Sequence, residues 1–180
     1  MFKLLVVEDE EMIRSKILNN IDWRDNGFIQ VFEAENGLDA LDIIKENEVD
    51  IVITDIQMPG MSGIELVKEI KKLNKDIKVI VISGYAEFEY AKEFIRLNVK
   101  DYILKPFISK NLLEIVNKVK EEIIRERNEK HEIENMRKQL RENRQNLKDK
   151  LFNDLLNNNF IGNIDQDLNY LELSSIKGLP

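Results

Sequence analysis

The sequence predicts an α/β fold in which a doubly wound, parallel five-stranded sheet is followed by a long α-helix. Five short β-rich runs alternate with amphipathic stretches over the first 109 residues. Several of these runs are almost continuously apolar, which is typical of parallel strands that are buried on both faces. From residue 110 to residue 157 the chain has neither Gly nor Pro nor a β-rich run, which predicts one helix or two abutting helices.

The predicted strands and helices alternate in the order βαβαβαβαβ. Because parallel strands are joined by right-handed crossovers, the helices are expected on both faces of the sheet. The less uniformly apolar runs at 29–34 and 101–104 are typical of edge strands. The helices carry apolar residues at spacings of three and four, as in Leu38, Leu41 and Ile44. The predicted strands cover residues 3–7, 29–33, 50–54, 78–82 and 101–104, and the predicted helices lie near 10–20, 37–47, 63–73 and 86–97.

The long C-terminal stretch changes character along its length. Apolar residues between 112 and 123 form a stripe that can close the sheet, whereas residues 125–132 are entirely polar. Beyond this polar stretch, apolar residues recur at heptad spacing. The two features together predict a homodimer through a coiled-coil helix over 133–151. A solvated charged helix is the alternative. Asn143 and Lys150 share the seam with four apolar residues at heptad spacing, namely Ile133, Met136, Leu140 and Leu147.

We therefore predict three segments. Residues 1–124 form the globular domain, and residues 125–157 form the helical coiled-coil dimerisation linker. Residues 158–180 contain an Asn run, two Gly and a terminal Pro, with too few apolar residues for a core. They are predicted to be an irregular tail at the start of a truncated further domain.

Composition narrows the class of protein. The chain has no Cys, which excludes disulfides, thiolate metal sites and a Cys nucleophile. No signal peptide or membrane span is evident, so a cytoplasmic location without membrane contact is expected. The net charge is −7 over residues 1–109 and +3 over residues 110–150. An acidic globule with a slightly basic helix is not typical of a nucleic-acid surface.

Acidic residues follow two neighbouring strands of the predicted sheet. Glu8 and Asp9 come after the first strand and Asp55 after the third. Because ligands bind at the carboxyl ends of such strands, these side chains are expected to meet. Three clustered carboxylates repel one another unless a cation sits among them, and their oxygens suit Mg²⁺. We predict Asp9 and Asp55 as direct ligands, Glu8 as a direct or water-mediated ligand, and the backbone carbonyl of Gln57 within reach.

The other strand ends carry groups that a phosphoryl group requires. Ser83 offers a hydroxyl after the fourth strand, and Lys105 offers an ammonium after the fifth. The Lys105–Pro106 bond is a candidate cis peptide that would aim the lysine inward. Covalent phosphorylation of Asp55 needs positioning and charge neutralisation, which Mg²⁺, Ser83 and Lys105 would supply. The only histidine, His131, lies in the predicted linker helix and is not a plausible ligand.

Four motifs in this order resemble the response-regulator receiver family of two-component systems. They are Val-Val-Glu-Asp-Glu at 6–10, Val-Ile-Thr-Asp-Ile-Gln-Met-Pro-Gly-Met-Ser-Gly at 52–63, Val-Ile-Ser-Gly-Tyr at 81–85 and Asp-Tyr-Ile-Leu-Lys-Pro-Phe at 101–107. The resemblance covers residues 2 to about 124 and implies a flavodoxin-like (βα)5 fold. It further implies a sensor histidine kinase as partner and magnesium as cofactor.

The resemblance also assigns roles at this site. Asp55 would be the phospho-acceptor, Glu8 and Asp9 the acidic pair, and Lys105 the family's lysine. Ser83 would be the switch hydroxyl and Tyr102 the switch aromatic. Glu8 stands where Asp is more frequent, a variation that leaves Mg²⁺ binding intact. From the residue pattern alone, Tyr102 is equally well explained as a core aromatic on an edge strand, and Ser83 with the following Gly as a simple turn.

The segments at 20–28 and 83–91, with the charged linker, resemble the AraC-type subgroup, whose members carry a C-terminal helix-turn-helix domain. Because that domain is missing here, DNA contact is expected only through it. A stand-alone receiver or adaptor without DNA output is the first alternative. A Mg²⁺-dependent aspartyl-phosphate phosphatase is a weaker one, because position 57 is Gln where such an enzyme needs a second acid. A nucleotide or flavin binder is disfavoured because residues 8–11 are all acidic.

Overall fold

The computed structural model describes residues 1–73, 76–84, 93 and 96–156 of the chain. The predicted helix near 86–97 therefore lies largely outside the described residues. The described strands are β1 (Phe2–Val7), β2 (Phe28–Ala34), β3 (Ile51–Asp55), β4 (Lys78–Ser83) and β5 (Asp101–Leu104). The described helices are α1 (Glu11–Asn19), α2 (Gly37–Glu46), α3 (Gly63–Lys72) and α4 (Ser109–Leu156).

The five strands form one parallel sheet in the order β2-β1-β3-β4-β5. This confirms the predicted doubly wound fold and the predicted edge positions of β2 and β5. The chain leaves β1 toward one edge of the sheet and returns to pair β3 on its other side, with Val7 opposite Thr54. The strand order therefore reverses between β1 and β3, which is where ligands bind in sheets of this kind.

The hydrophobic core lies on both faces of the three central strands. β3 is buried at every residue, and β1 and β4 are buried at nearly every residue. Trp23 belongs to this packed interior: its ring meets Phe28 edge-on at 5.4 Å between centroids, and its indole N–H donates to the carbonyl of Ile17 at 3.1 Å. The tryptophan is thus a core residue.

The C-terminal ends of β3 and β4, like that of β2, lie one residue beyond their predicted limits. The prediction ended β3 at residue 54 and β4 at residue 82, whereas the structure extends them to Asp55 and Ser83. The ladder continues because Asp55 is paired with Ile82 and Ser83 with Leu104. Both site residues therefore belong to the rigid sheet rather than to the loops that follow it.

The predicted apolar face of α2 is only partly correct. Leu38 is 53% exposed, whereas Ala40 and Ile44 are fully buried. Leu38 lies in the first turn, where Asn36 caps the helix by accepting from the N–H groups of Leu38 and Asp39. The buried face of the helix runs instead through Gly37, Ala40 and Ile44, so Leu38 lies beside this face and remains at the surface.

The chain divides into two compact units, Met1–Glu122 and Ile123–Pro180, and α4 contributes residues to both. The structure describes α4 as one helix rather than two. In the first unit, Leu112, Val116 and Val119 are buried. The predicted boundaries at 124 and 157 stay predictions, and the predicted tail at 158–180 lies outside the described residues. Within the described range, no helix has both the length and the apolar character needed to cross a bilayer.

Candidate functional site

Three carboxylates meet where the strand order reverses. Glu8 directly follows β1, Asp9 comes next, and Asp55 is the last residue of β3. One oxygen of each lies within 4.8 Å of the others. Glu8 and Asp55 are buried, whereas Asp9 is exposed. The structure thus brings together the acidic residues that the sequence placed on two neighbouring strand ends.

Lys105 extends from the end of β5 into this cluster. Its ammonium Nζ lies 2.9 Å from Glu8 Oε1 and 3.1 Å from Asp55 Oδ2, with Glu10 Oε1 further away at 3.8 Å. The Lys105–Pro106 peptide is cis, as the sequence analysis anticipated. The backbone N–H of Lys105 donates to the carbonyl of Ser83 at 2.7 Å, which ties the ends of β4 and β5 together. One ammonium therefore partly neutralises two buried acids.

The pKa values reflect this crowding. Burial raises the pKa of Glu8 from 4.5 to about 7, with the charge of Asp55 acting in the same direction and the hydrogen bond to Lys105 opposing it. For Lys105, burial alone would lower the pKa, but the hydrogen bond and charge of Glu8, together with Asp55, raise it above its usual value. One cation is thus insufficient to restore an ordinary acidity to Glu8.

The site fits a second, divalent cation. Glu8 Oε2 is buried and lies 2.8 Å from Lys105 Nζ, yet within the described part of the chain no hydrogen bond of acceptable geometry reaches this oxygen. The side-chain atoms that could coordinate a metal ion here are all carboxylate oxygens, and Mg²⁺ prefers oxygen ligands. Glu8, Asp9 and Asp55 are the residues that would hold it. The side chain of Gln57 is exposed, and the role of its carbonyl as a ligand stays a prediction.

The Glu8 pKa predicts opposite effects of pH on the metal-free fold and on Mg²⁺ binding. Because the pKa of about 7 in the folded state exceeds the ordinary value of 4.5, the folded state holds more protons between these two pH values. The contribution of Glu8 to stability is therefore complete below 4.5 and is lost as the pH rises through 7. Mg²⁺ requires the carboxylate, so its affinity should increase across the same upper range.

Calorimetric titration with MgCl2 on either side of that pKa measures the effect, with Glu8→Gln as the control that removes the titrating group. We expect tighter binding above the pKa, accompanied by proton release near it. An Mg²⁺ affinity that does not change across this range in the unmodified chain would contradict the assignment of Glu8 as a ligand.

Asp55 is held in place by hydrogen bonds on both sides. The backbone N–H of Ile56 donates to Asp55 Oδ1 at 2.8 Å, and the hydroxyl of Thr54 donates to the carbonyl of Asp55 at 2.8 Å. The N–H of Gly63 donates to the carbonyl of Ile56 at 2.9 Å, which closes the loop after β3. These bonds restrain one carboxylate oxygen, while Lys105 contacts the other.

The start of α3 anchors the far end of this loop. Ser62 and Glu65 form a capping box, in which Ser62 Oγ accepts from the N–H of Glu65 and Glu65 Oε2 accepts from the N–H of Ser62 at 2.9 Å. These bonds lower the pKa of Glu65. Gly63 packs so closely on β3 that a Cβ there would lie 1.9 Å from the carbonyl oxygen of Asp55. The close approach of α3 to β3 therefore requires Gly at this position.

The two predicted switch residues lie on neighbouring strands. Ser83 is buried at the end of β4, and Tyr102 is half-buried on β5, where it is paired with Val81 and packs against the core. Their positions agree with the switch role, but they agree equally with the simpler alternatives of a core aromatic for Tyr102 and a turn for Ser83. The switch therefore remains a prediction. His131 is exposed in α4 and is not one of the residues that form the carboxylate cluster.

Arg14 is a site residue that the sequence analysis missed. It is only 8% exposed, and its Nη1 donates to the backbone carbonyl of Glu8 at 2.8 Å. The rest of its guanidinium bonds Glu33 Oε2 at 3.1 Å and Glu35 Oε1 at 3.0 Å. Arg14 therefore fixes the turn that carries Glu8 and Asp9. A buried Arg in the first helix is recognisable from sequence only as a break in the apolar pattern.

Arg14→Met keeps the unbranched stem but removes every bond to the acidic turn. We expect Mg²⁺ affinity to fall by about tenfold, as is usual when a group that orients metal ligands is lost. Glu33→Gln and Glu35→Gln are matched controls, because they remove exposed partners of Arg14 without freeing the Glu8 carbonyl. Calorimetry compares the variants. Equal affinities for Arg14→Met and the unmodified chain would show that the turn does not depend on Arg14.

Comparison with known proteins identifies the family to which the chain belongs. The sequence model of the family described as "Response regulator receiver domain" matches residues 4–117, more than half of the chain, so the chain belongs to the response regulator receiver family. Receiver domains of this family act as signalling phospho-acceptors, are phosphorylated by histidine kinases and bind Mg²⁺ in an acidic pocket. The resemblance read from the four motifs is thereby confirmed.

Particular relatives refine the comparison. The chain is 37% identical over 144 residues to the "uncharacterized transcriptional regulatory protein YesN" of Bacillus subtilis. The aligned region covers 76% of this chain and 39% of that protein. The receiver domain of AraT, a response regulator from Geobacillus stearothermophilus, superposes with a TM-score of 0.64 at 43% identity, covering 70% of this chain and 98% of that domain.

A second similar structure is that of a DNA-binding response regulator of the LuxR family from Staphylococcus aureus. It has a TM-score of 0.62 and 34% identity, and covers 66% of this chain and 98% of that structure. The chain spans only about two-fifths of the length of the curated relatives it matches. What those longer proteins do as a whole does not transfer directly to these 180 residues.

Proposed function

We propose that Asp55 is the phospho-acceptor of this receiver and that Glu8, Asp9 and Asp55 hold the Mg²⁺ that the reaction requires. The observation that carries the proposal is the convergence of three carboxylates and Lys105 at the reversal of strand order. The fold has little reason to gather like charges at this point unless cations balance them.

In the proposed reaction, a carboxylate oxygen of Asp55 attacks the phosphorus of a phosphohistidine on a sensor histidine kinase. The P–O bond forms while the P–N bond breaks, and the imidazole nitrogen of the kinase takes up the electron pair and a proton. Bound Mg²⁺ would neutralise negative charge on the transferring phosphoryl oxygens. Lys105, already beside Asp55, supplies a second positive charge to the acyl phosphate.

The transferred group adds about −1.5 to −2 charges at neutral pH. Ser83, buried at the end of the adjacent strand, would donate its hydroxyl to a phosphoryl oxygen, and Tyr102 would then turn into the space that Ser83 leaves. Because Lys105 is bonded through its N–H to the Ser83 carbonyl, a movement at the end of β4 reaches β5 directly. This is the proposed route from phosphorylation to the surface of the domain.

Labelling with acetyl phosphate tests the proposed function. With Mg²⁺ present, the chain should take up close to one phosphoryl group, in a linkage that hydroxylamine cleaves as it does an acyl phosphate. With excess EDTA, uptake should fall to background. Absence of Mg²⁺-dependent uptake in folded protein would reject the proposal.

The same experiment separates the receiver from a phosphatase. A receiver should release phosphate no faster than its own acyl phosphate hydrolyses, whereas an enzyme would turn over a generic phosphate ester many times. The described site has Gln57 where a second acid would be needed for acid–base catalysis of turnover, which favours the receiver. Sustained multiple turnover would favour the enzyme.

We propose that the output is control of transcription through DNA contacts made outside these residues. YesN is named a transcriptional regulatory protein and the LuxR-family structure a DNA-binding response regulator, which supports this proposal. The alternative is a stand-alone receiver or adaptor. The reading frame after codon 180 distinguishes them: a helix-turn-helix segment supports transcriptional output, and a stop codon supports the alternative.

We further propose that the chain forms a homodimer through the 133–151 region of α4. Leu140→Asp places a charge on the predicted apolar seam, where Leu140 is exposed in the single chain. We expect the dimer population in analytical ultracentrifugation to fall strongly, while Lys138→Asp, on another face of the helix, should leave it nearly unchanged. Equal populations in both variants would contradict a dimer through this face.

A further inference from the structure

One face of the second half of α4 is apolar, and no other described residue covers it. Four large apolar side chains at heptad spacing are between 46% and 68% exposed: Ile133, Met136, Leu140 and Leu147. Asn143 and Lys150 occupy the remaining positions of the same stripe. We call this stripe the seam. It consists of two rows, one with Ile133, Leu140 and Leu147 and the other with Met136, Asn143 and Lys150. A helix with so narrow an apolar stripe is typical of a coiled coil, in which a partner helix covers the stripe.

The contacts within the helix identify its outer face. Lys138 and Glu142 form an ion pair at 3.9 Å, and Gln145 donates to Asp149 at 3.0 Å. All four side chains lie on the side of the helix opposite the seam. Among the described residues, neither Glu132 nor Arg137, which border the seam on its two sides, makes an ion pair. The charges of Lys138 and Glu142 on the outer face are thus paired, whereas those of Glu132 and Arg137 beside the seam have no ion-pair partner in the part of the chain that the structure describes.

We propose that a second copy of this chain covers the seam as a parallel coiled coil in which each residue lies opposite its own counterpart. This inference rests on the proposed homodimer and specifies its orientation and register. It follows from two independent features of the helix, the charges beside the seam and the polar residue within it.

The bordering charges favour the parallel orientation. In a parallel pair, a residue on one border of the seam contacts the residue five positions later on the opposite border of the partner. Glu132 and Arg137 are five positions apart, so Glu132 of each copy would contact Arg137 of the other copy. The dimer would therefore contain this ion pair twice. In an antiparallel pair, each border instead faces the same border of the partner. The border that holds Arg137 and Arg144 would then place arginines against arginines.

Asn143 favours the same arrangement with an in-register alignment. In an antiparallel pair, the seam position of Asn143 faces the alternate seam row, which holds Ile133, Leu140 and Leu147. Its amide would then be buried against aliphatic side chains without a hydrogen-bond partner. In a parallel, in-register pair the two Asn143 amides face each other and can bond. Lys150 also meets its counterpart, but its long stem lets the ammonium reach solvent at the edge of the seam.

Disulfide trapping tests the orientation directly because the native chain has no cysteine. Met136→Cys, Leu140→Cys and Leu147→Cys each place one thiol on the seam of the full 180-residue chain. In a parallel, in-register dimer all three thiols lie beside their own copies, within the short Cβ separation that a disulfide requires. Under mild oxidation each should form covalent dimer at least about tenfold faster than Lys138→Cys on the outer face.

Each other pattern overturns the proposal. An antiparallel dimer traps at most the one seam position nearest its centre, so rapid trapping of Leu140→Cys alone would reject the parallel arrangement. Rates equal to the Lys138→Cys control at all three positions would reject the dimer at this seam. Acetyl-phosphate labelling of the same variants reports on Asp55 separately, so a failed receiver assignment and a failed dimer orientation are distinguishable.

Discussion

Asp55→Asn is expected to reduce Mg²⁺-dependent labelling by acetyl phosphate to background. The amide has nearly the same shape as the carboxylate, so the hydrogen bond from the N–H of Ile56 can persist. The amide oxygen is, however, a poor nucleophile, and the variant removes one of the three charges that would hold Mg²⁺. The chemistry is therefore lost while the fold remains, which circular dichroism verifies. Phosphoryl incorporation, followed by mass spectrometry of the intact chain, measures the effect.

A matched control uses an acid outside the site. Asp42→Asn on α2 removes an exposed carboxylate whose one ion pair among the described residues is with Lys45, at 2.9 Å. Labelling should match that of the unmodified chain. Labelling of Asp55→Asn at the unmodified level would place the acceptor elsewhere. Peptide mapping of that product would then identify the residue. A loss of labelling in both variants would point to general misfolding and would be detected by the same dichroism spectra.

Gly63→Ala is expected to have the second large effect, on stability and on the site together. The added Cβ would lie 1.9 Å from the carbonyl oxygen of Asp55 and 3.1 Å from the hydroxyl of Thr54. Because the obstacle is backbone of a fully buried strand, it cannot rotate away. We expect the free energy of unfolding to fall by about 3 kcal/mol. Displacement of Asp55 by about 1 Å should slow labelling by about a hundredfold.

Gly84→Ala is the matched control for stability. A Cβ at Gly84 meets nothing within 4 Å, so the free energy of unfolding should change by no more than about 0.5 kcal/mol. Urea denaturation of both variants measures the difference. If Gly63→Ala were as stable as Gly84→Ala, the close contact between α3 and β3 would not exist in solution.

The sheet was predictable because its strands differ sharply in composition. The central strands have no solvent face and consist of continuous apolar runs, whereas β2 and β5 mix polar and apolar residues because they lie at the edges. The location of the acids was also predictable, since parallel strands end at the same edge of a sheet. Glu8, Asp55 and Lys105, although distant in sequence, were therefore expected to meet, and the structure joins them.

Other features depended on contacts that leave no local signal. Leu38 is exposed because the buried face of α2 runs through Gly37, Ala40 and Ile44, which the spacing of the large apolar residues does not reveal. The importance of Gly63 follows from the approach of one helix to one strand. Arg14 bonds residues on three segments at once, and nothing in the residues beside it in the sequence indicates those partners.

The sequence by itself determined the order of strands and helices along the chain, the edge of the sheet at which the chemistry lies and the residue types that carry it. These follow from periodicity and connectivity, which are local properties of the chain. Only the tertiary structure decided how far the pKa of a site residue departs from its ordinary value. Burial of Glu8 beside Asp55 raises its pKa to about 7 although Lys105 lies within bonding distance. Desolvation and charge coupling depend on distances across the sheet, which arise only when the strands assemble.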